Sequence, residues 1–187
     1  VGKIAAYLKV NLPGLVGPAT VRQFHSGFSN LTYLISMGEA EMVLRRPPFG
    51  KKAKTAHDMS REYRILRALK PVFPHVPEPL AYCDDPAVMD APFYVMERMR
   101  GVILRKGPPD APALGAAAAG RLCRRWVDLL GDLHGLDYQG CGLADLGSPE
   151  GYMARQIHGW SKRYRDARTD DVPDFDTVMA WLCAGMP

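Results

Sequence analysis

The chain has 187 residues, enough for one ordinary domain or one and a half small ones, and is 47% hydrophobic and 24% charged, as a globular protein with a real core requires. Its net charge of +4 is too small an excess to argue for nucleic acid. No apolar run is long enough for a membrane helix, and the first residues lack the basic-then-apolar pattern of a signal peptide.

In chain order, residues 4–15 predict a short helix ending at Pro13-Gly14. Residues 21–27, 30–36 and 42–46 predict three strands, with a turn at Met37-Gly38-Glu39. Short β-rich runs separated by glycine-bearing turns imply an antiparallel meander. A helix is expected over 55–69, with Thr55 as N-cap and Asp58 three positions on. Residues 76–85 are punctuated by proline and hold one short strand. Residues 91–99 read as another, rich in aromatic and β-branched side chains. Residues 100–120 are Gly/Pro/Ala-rich and read as a connection. Beyond them Leu122, Trp126, Leu129 and Leu133 fall at helical spacing, as do Met153, Ile157, Trp160 and Tyr164, and a last helix spans 176–184. The fold class is therefore α+β: an antiparallel sheet with one internal helix, then a helical part.

The four cysteines, Cys83, Cys123, Cys141 and Cys183, form no CxxC pair and have no zinc-ligand spacing to histidine. Reduced thiols in a cytoplasmic compartment are the simplest reading. RNA-module aromatic signatures are absent, so nucleic acid is not an expected partner.

One carboxylate stands out. At about 100° per residue, Met59, Glu62, Tyr63, Leu66 and Leu69 share one stripe of the 55–69 helix. A carboxylate turned toward a core needs a partner, and its own helix offers none at i±3 or i±4. The preceding strand offers two arginines. Alternation puts Val43 and Arg45 on one face and Met42, Leu44 and Arg46 on the other. Arg45 at the end of an apolar strand is an ion-pair candidate. The alternative is that Glu62 lies at the stripe edge in water and Arg45 only caps the sheet. The turn "GFSN" at 27–30 can aim backbone N–H groups at an anion, but by itself it is a weak phosphate signal, with one glycine.

The order of these parts says more than each alone. A loop between two strands, a cation on the third strand, a glutamate in the next helix and a later strand entering a Gly/Pro connection follow the order of protein-kinase-like small lobes. The segments "SGFSNLTYLI", "MVLRRPPFG", "AHDMSREYRILRAL", "VPEPLAYCDD" and "APFYVMERMRG" resemble the small lobe of the aminoglycoside phosphotransferase family. The likeness is greatest to its subgroup of kinase-like domains associated with acyl-CoA dehydrogenases. "LLGDLHGLD" and "YMARQIHGWSKRY" resemble the first helices of that family's large lobe.

The resemblance implies a protein-kinase-like small, ATP-clamping lobe over 1–99, and a linker plus an incomplete helical large lobe over 100–187. It implies that Gly27, Phe28, Ser29 and Asn30 form the phosphate-covering loop, and that Arg45 stands where the general pattern has lysine. Glu62 would be its ion-pair partner, and Met96 would back the adenine pocket. The Glu97 carbonyl and Met99 N–H would bond adenine, although Glu97 also reads as an exposed strand end. Arginine is bulkier and bidentate, so the phosphate geometry is not assumed to match that of lysine.

The implied activity is transfer of the ATP γ-phosphoryl to a small-molecule hydroxyl, with ATP and Mg²⁺ as cofactors. The dehydrogenase association tilts the acceptor toward a hydroxyacyl or lipid-derived hydroxyl. The family's His-Gly-Asp loop and later metal-binding aspartate are not matched. The aspartate of "HGLDYQGCG" (134–142) is one place late, and "DLG" at Asp145 follows Asp137 too closely. The chain is thus expected to be the N-terminal portion of a longer phosphotransferase, with its metal ligands beyond Pro187. The competing reading is a catalytically inactive nucleotide-binding or interaction module, whose exposed helical part would self-associate.

Overall fold

A computed structural model describes residues 1–24, 29–50, 57–102 and 115–186. They form two compact units, 1–143 and 144–187.

The first unit is built on a five-stranded antiparallel sheet in the order β1-β2-β3-β5-β4, with β1 at Ala19–Gln23, β2 at Leu31–Met37, β3 at Ala40–Arg46, β4 at Pro79–Cys83 and β5 at Phe93–Glu97. The first three strands are the expected meander. Met37 pairs with Ala40, so only Gly38 and Glu39 lie between β2 and β3. Gly38 takes φ +59, and a Cβ there would meet the Val16 carbonyl oxygen at 3.3 Å, so glycine serves this turn on both counts. β5 inserts between β3 and β4, and a register irregularity between Pro79 and Ala81 accommodates the proline.

Alternation gives the sheet two unlike faces. On one, Ile35, Met37, Met42, Leu44, Ala81, Cys83, Phe93 and Val95 are buried together with Leu8 of α1 (Gly2–Asn11). Helix α1 begins two residues before the expected 4 and stops at Asn11, where Leu12 turns extended. The Tyr7 hydroxyl donates to the Tyr82 carbonyl at 2.6 Å, and its ring meets Phe93 edge-on.

The other face carries α2 (Met59–Leu69). Met59 is buried, and Tyr63 stacks on Tyr82 with ring centres 5.7 Å apart. The expected start at 55 and the cap Thr55 lie outside the described residues. The observed cap is Asp58, which accepts from the Arg61 N–H at 3.0 Å and the Ser60 hydroxyl at 2.7 Å. His57 precedes it at φ +67, in the left-handed region that ends rather than continues a helix.

Helix α3 (Ala116–His134) spans the residues at helical spacing but begins inside the 100–120 stretch expected as a connection, because its four alanines favour helix, and it buries none of its residues. Leu122, Trp126 and Val127 are exposed. In the second unit α4 (Tyr152–Ala167) and α5 (Asp176–Ala184) pack around Met179. Tyr164 meets Phe175 edge-on, Arg165 pairs with Asp176 at 2.8 Å, and a cavity of about 330 Å³ lies between the two helices. The described cysteines are all free thiols. Among the described residues, no helix is long and apolar enough to cross a membrane.

Candidate nucleotide site

Strand β3 presents its two terminal arginines to opposite faces. Arg46 is 7% exposed and shares the apolar face. Its guanidinium donates to Asp90 at 3.0 Å and to the Pro47 carbonyl at 3.2 Å, and lies over the Phe49 ring. These contacts hold the turn after the strand. Arg45 shares the α2 face, and its Nε sits 3.6 Å from Glu62 Oε2. Of the two arginines that sequence alone offers as the partner of Glu62, the fold selects Arg45.

Both members of this pair are about one-third exposed, 32% and 31%. An ion pair that open to water adds only about 0–1 kcal/mol to stability. Its arrangement therefore matters more for where it holds a cation than for folding. Arg45 Nε is itself buried and finds no hydrogen-bond acceptor among the described residues. At Nε the guanidinium is thus oriented by charge rather than tied by a bond.

Glu62 is held by more than Arg45. The Asn30 amide donates to Oε1 at 2.8 Å, and the Tyr94 hydroxyl donates to Oε2 at 2.9 Å. Each partner comes from a different strand or strand end. Register explains the meeting: Thr32 lies opposite Arg45, which lies opposite Tyr94, so β2, β3 and β5 converge under one turn of α2. Burial raises the Tyr94 hydroxyl's pKa. The Glu62 charge adds to the rise and the Arg45 charge opposes it. Tyr94 stays a donor. Asn30, 8% exposed, also receives His57 Nδ1 at 2.6 Å on its Oδ1, while Ser29 Oγ lies 3.3 Å from the same nitrogen.

Asn30, Arg45 and Glu62, three of the residues singled out from sequence, therefore meet. Among the described residues, Ser29 joins them through His57. Gly27 and Phe28 lie outside the described residues. Met96 lies opposite Val43 in the sheet, half-buried on the α2 face. Glu97 is exposed, and its side chain turns back to accept from the Glu78 N–H at 3.1 Å and to face Lys70 at 3.5 Å. The Glu78 N–H, and then the Lys70 charge, hold its carboxyl below the usual range. Met99 is 56% exposed.

Sequence reading missed Tyr94, His57 and Glu41. Glu41 pairs with both Arg98 and Arg100, at 2.7 Å for the latter, and so grips the chain on either side of Met99. Carrying the Met42–Glu97 register one residue further places Glu41 beside Arg98, but only once β3 and β5 are known to be neighbours. Asp137 holds a turn, accepting from the Gly140 N–H at 2.9 Å. No group of three metal-binding side chains gathers among the described residues.

Comparison with known proteins bears on the family and the fold. The model of the phosphotransferase enzyme family (APH) matches residues 20–187. Acyl-CoA dehydrogenase family member 11 of Gallus gallus is 35% identical over an alignment of 190 positions that covers all of this chain and 24% of that protein. Acyl-CoA dehydrogenase family member 10 of Mus musculus is 33% identical over 171 residues, 91% of this chain and 16% of that protein. A Ralstonia eutropha structure solved as a candidate aminoglycoside phosphotransferase superposes on the whole chain with a TM-score of 0.80 at 30% identity, covering 53% of that protein. Choline kinase of Cryptosporidium parvum shares the fold at a TM-score of 0.54 and 17% identity, over 96% of this chain and 48% of that one. The chain spans about a quarter of the length of the first of these curated relatives. With its antiparallel small-lobe sheet and kinase-like fold, the chain belongs to the phosphotransferase enzyme family.

Proposed function

We propose that this chain is the nucleotide-clamping portion of an ATP-dependent phosphotransferase that moves the γ-phosphoryl of ATP to a small-molecule hydroxyl. In this reading residues 1–99 are the clamping lobe, and residues 100–187 are the linker and first helices of the large lobe. The observation that carries it is Arg45: a cation on the third strand, held by a helix glutamate that is itself fixed from two strands. Arg45 would meet the α- and β-phosphates, and Ser29 and Asn30 with Gly27 and Phe28 would cover them. Met96 would back the adenine, with Glu97 and Met99 bonding it through their main chain.

A phosphate group fits this face. Arg45 is donor-only and one-third exposed, and its orientation is already set. When bound, Mg²⁺ would neutralise phosphate charge, as in other phosphoryl transfers. The described residues assemble no ligand set for it, so no step is routed through the metal here. In the transfer the acceptor oxygen bonds to Pγ, the bond from Pγ to the ADP oxygen breaks, and the hydroxyl proton passes to solvent. The relatives named acyl-CoA dehydrogenase family members favour a hydroxyacyl or lipid-derived hydroxyl as the acceptor.

In the protein that carries this chain, Mg·ATP at about a hundred times Kd should stabilise the fold by about 2.7 kcal/mol, raising Tm by several degrees. Arg45→Ala and Glu62→Ala should each abolish that rise. A rise retained in both variants would overturn the assignment. A rise without phosphoryl transfer to any hydroxyl would favour the inactive nucleotide-binding module.

A further inference from the structure

His57 is the described non-glycine residue with positive φ, at +67, and it stands directly before the Asp58 cap of α2. It carries an imidazole, so backbone geometry alone does not account for it: glycine would take this φ at less cost. What the imidazole does follows from its neighbours.

An ionised carboxylate only accepts hydrogen bonds. Glu62 Oε1 therefore faces the amide nitrogen of Asn30, at 2.8 Å. That orients the amide and leaves its oxygen toward His57, at 2.6 Å from Nδ1. An oxygen at that distance requires a donor, so Nδ1 carries the proton. Ser29 Oγ, 3.3 Å away, is a weaker second neighbour of the same N–H. Protonation of the ring at Nε2 would leave this N–H in place. One hydrogen-bond chain thus runs from His57 at the entry to α2, through Asn30 at the end of the β1–β2 loop, to the Glu62 carboxylate beside Arg45.

We propose that His57 is a positioning residue of this site: its Nδ1–H orients the Asn30 amide, which holds the Glu62 carboxylate against Arg45. The effect is to tie the loop end, the helix and the strand cation into one unit, so that Arg45 is aimed before nucleotide arrives. The inference rests on the reading of Arg45 as the phosphate-binding cation.

The test has two arms on the protein that carries this chain. In the first, nucleotide-free protein labelled with ¹⁵N-histidine is examined by two-bond ¹H–¹⁵N correlation at a pH where the imidazole is neutral. His57 should be the Nδ1–H tautomer, and Glu62→Gln should release it to a mixture, because a glutamine amide can present either atom to Asn30. An Nε2–H tautomer in the wild type overturns the proposal.

In the second arm, calorimetry gives the Kd of Mg·ATP. His57→Gly, which suits the backbone but lacks the donor, should weaken binding about tenfold. His57→Asn tolerates the same φ and places an amide N–H near the Nδ1 position. It should bring Kd back to within about threefold of the wild type. A merely structural histidine would move Tm and leave Kd alone. An unchanged Kd in His57→Gly, while Arg45→Ala abolishes binding, overturns the positioning role and spares the reading of Arg45. A wild type that binds no Mg·ATP overturns that reading, and the positioning role with it.

Discussion

The two faces of the sheet divide the labour of the first unit. The face under α1 is dry: Leu8, Phe93 and Val95 are fully buried, and its main polar guest, Arg46, is closed off by Asp90, Pro47 and the Phe49 ring. The face under α2 is half open and carries Asn30, Arg45, Glu62 and Tyr94 in one network. Consecutive residues serve opposite purposes, Arg45 against Arg46 and Tyr94 against Phe93. A slip of one residue in β3 or β5 would exchange them and put a site cation in the core. The dry face thus fixes the register on which the polar face depends.

The largest expected effect tests the dry face. Phe93 is 0% exposed with its ring against Tyr7, so Phe93→Ala should cost about 3–5 kcal/mol, read as a lower denaturant midpoint for the first unit. Its neighbour Tyr94 points to the other face. The variant's Tm should therefore rise with nucleotide by as much as is expected for the wild type. Loss of that response in folded protein would show that the two faces are not separable.

The neighbouring arginines make a sharper contrast. Arg46→Ala removes a buried guanidinium, its bond to the Pro47 carbonyl and its cover of Phe49. Asp90 is largely exposed, so water replaces much of that pairing, and the expected loss of stability is about 1–2 kcal/mol. Arg45→Ala should cost under about 1 kcal/mol, since its pair is one-third open to water. Nucleotide stabilisation should reverse the ranking, kept in Arg46→Ala and lost in Arg45→Ala. Thermal shifts of both variants with and without Mg·ATP check this, and equal losses in both would erase the distinction.

How much of this was legible beforehand depended on the range of the information needed. Period-2 alternation separated Arg45 from Arg46, and the 3.6-residue stripe put Glu62 on the inward side of its helix; both are local patterns. The helical spacing of Leu122–Leu133 and Met153–Tyr164 placed α3 and α4, but not the start of α3 at Ala116, inside the stretch that reads as a connection. Tyr94 and Glu41 required knowing that β5 lies beside β3, a non-local pairing that no periodicity encodes. His57 was hidden for another reason. A left-handed residue is announced by glycine or asparagine, and a histidine before an aspartate gives no such sign. Spacing to an acidic residue points to Thr55 as the cap, whereas that acidic residue, Asp58, is itself the cap of the described helix.

That cap carries a smaller effect than Phe93 or Arg46. Asp58 begins α2 four residues before Glu62, and its carbonyl accepts the Glu62 N–H at 3.2 Å, so the cap sets which way Glu62 faces. Asp58→Ala should cost about 1 kcal/mol at neutral pH, whereas Asp58→Asn, which still accepts from the helix N–H groups, should cost little. The Ser60 hydroxyl, followed by the Arg61 N–H, holds the Asp58 carboxyl below its ordinary pKa of 3.8. A carboxyl lowered on folding contributes stability that is present above its ordinary pKa and lost as the pH falls through the folded value. The stability gap between wild type and Asp58→Ala should therefore be full at neutral pH and narrow below 3.8. The gap between Asp58→Asn and Asp58→Ala should stay constant over the same range, because asparagine does not titrate. Denaturant melts of the three proteins at neutral and acid pH measure both gaps. A wild-type gap that persists unchanged below that range would mean that the cap works through its shape rather than its charge.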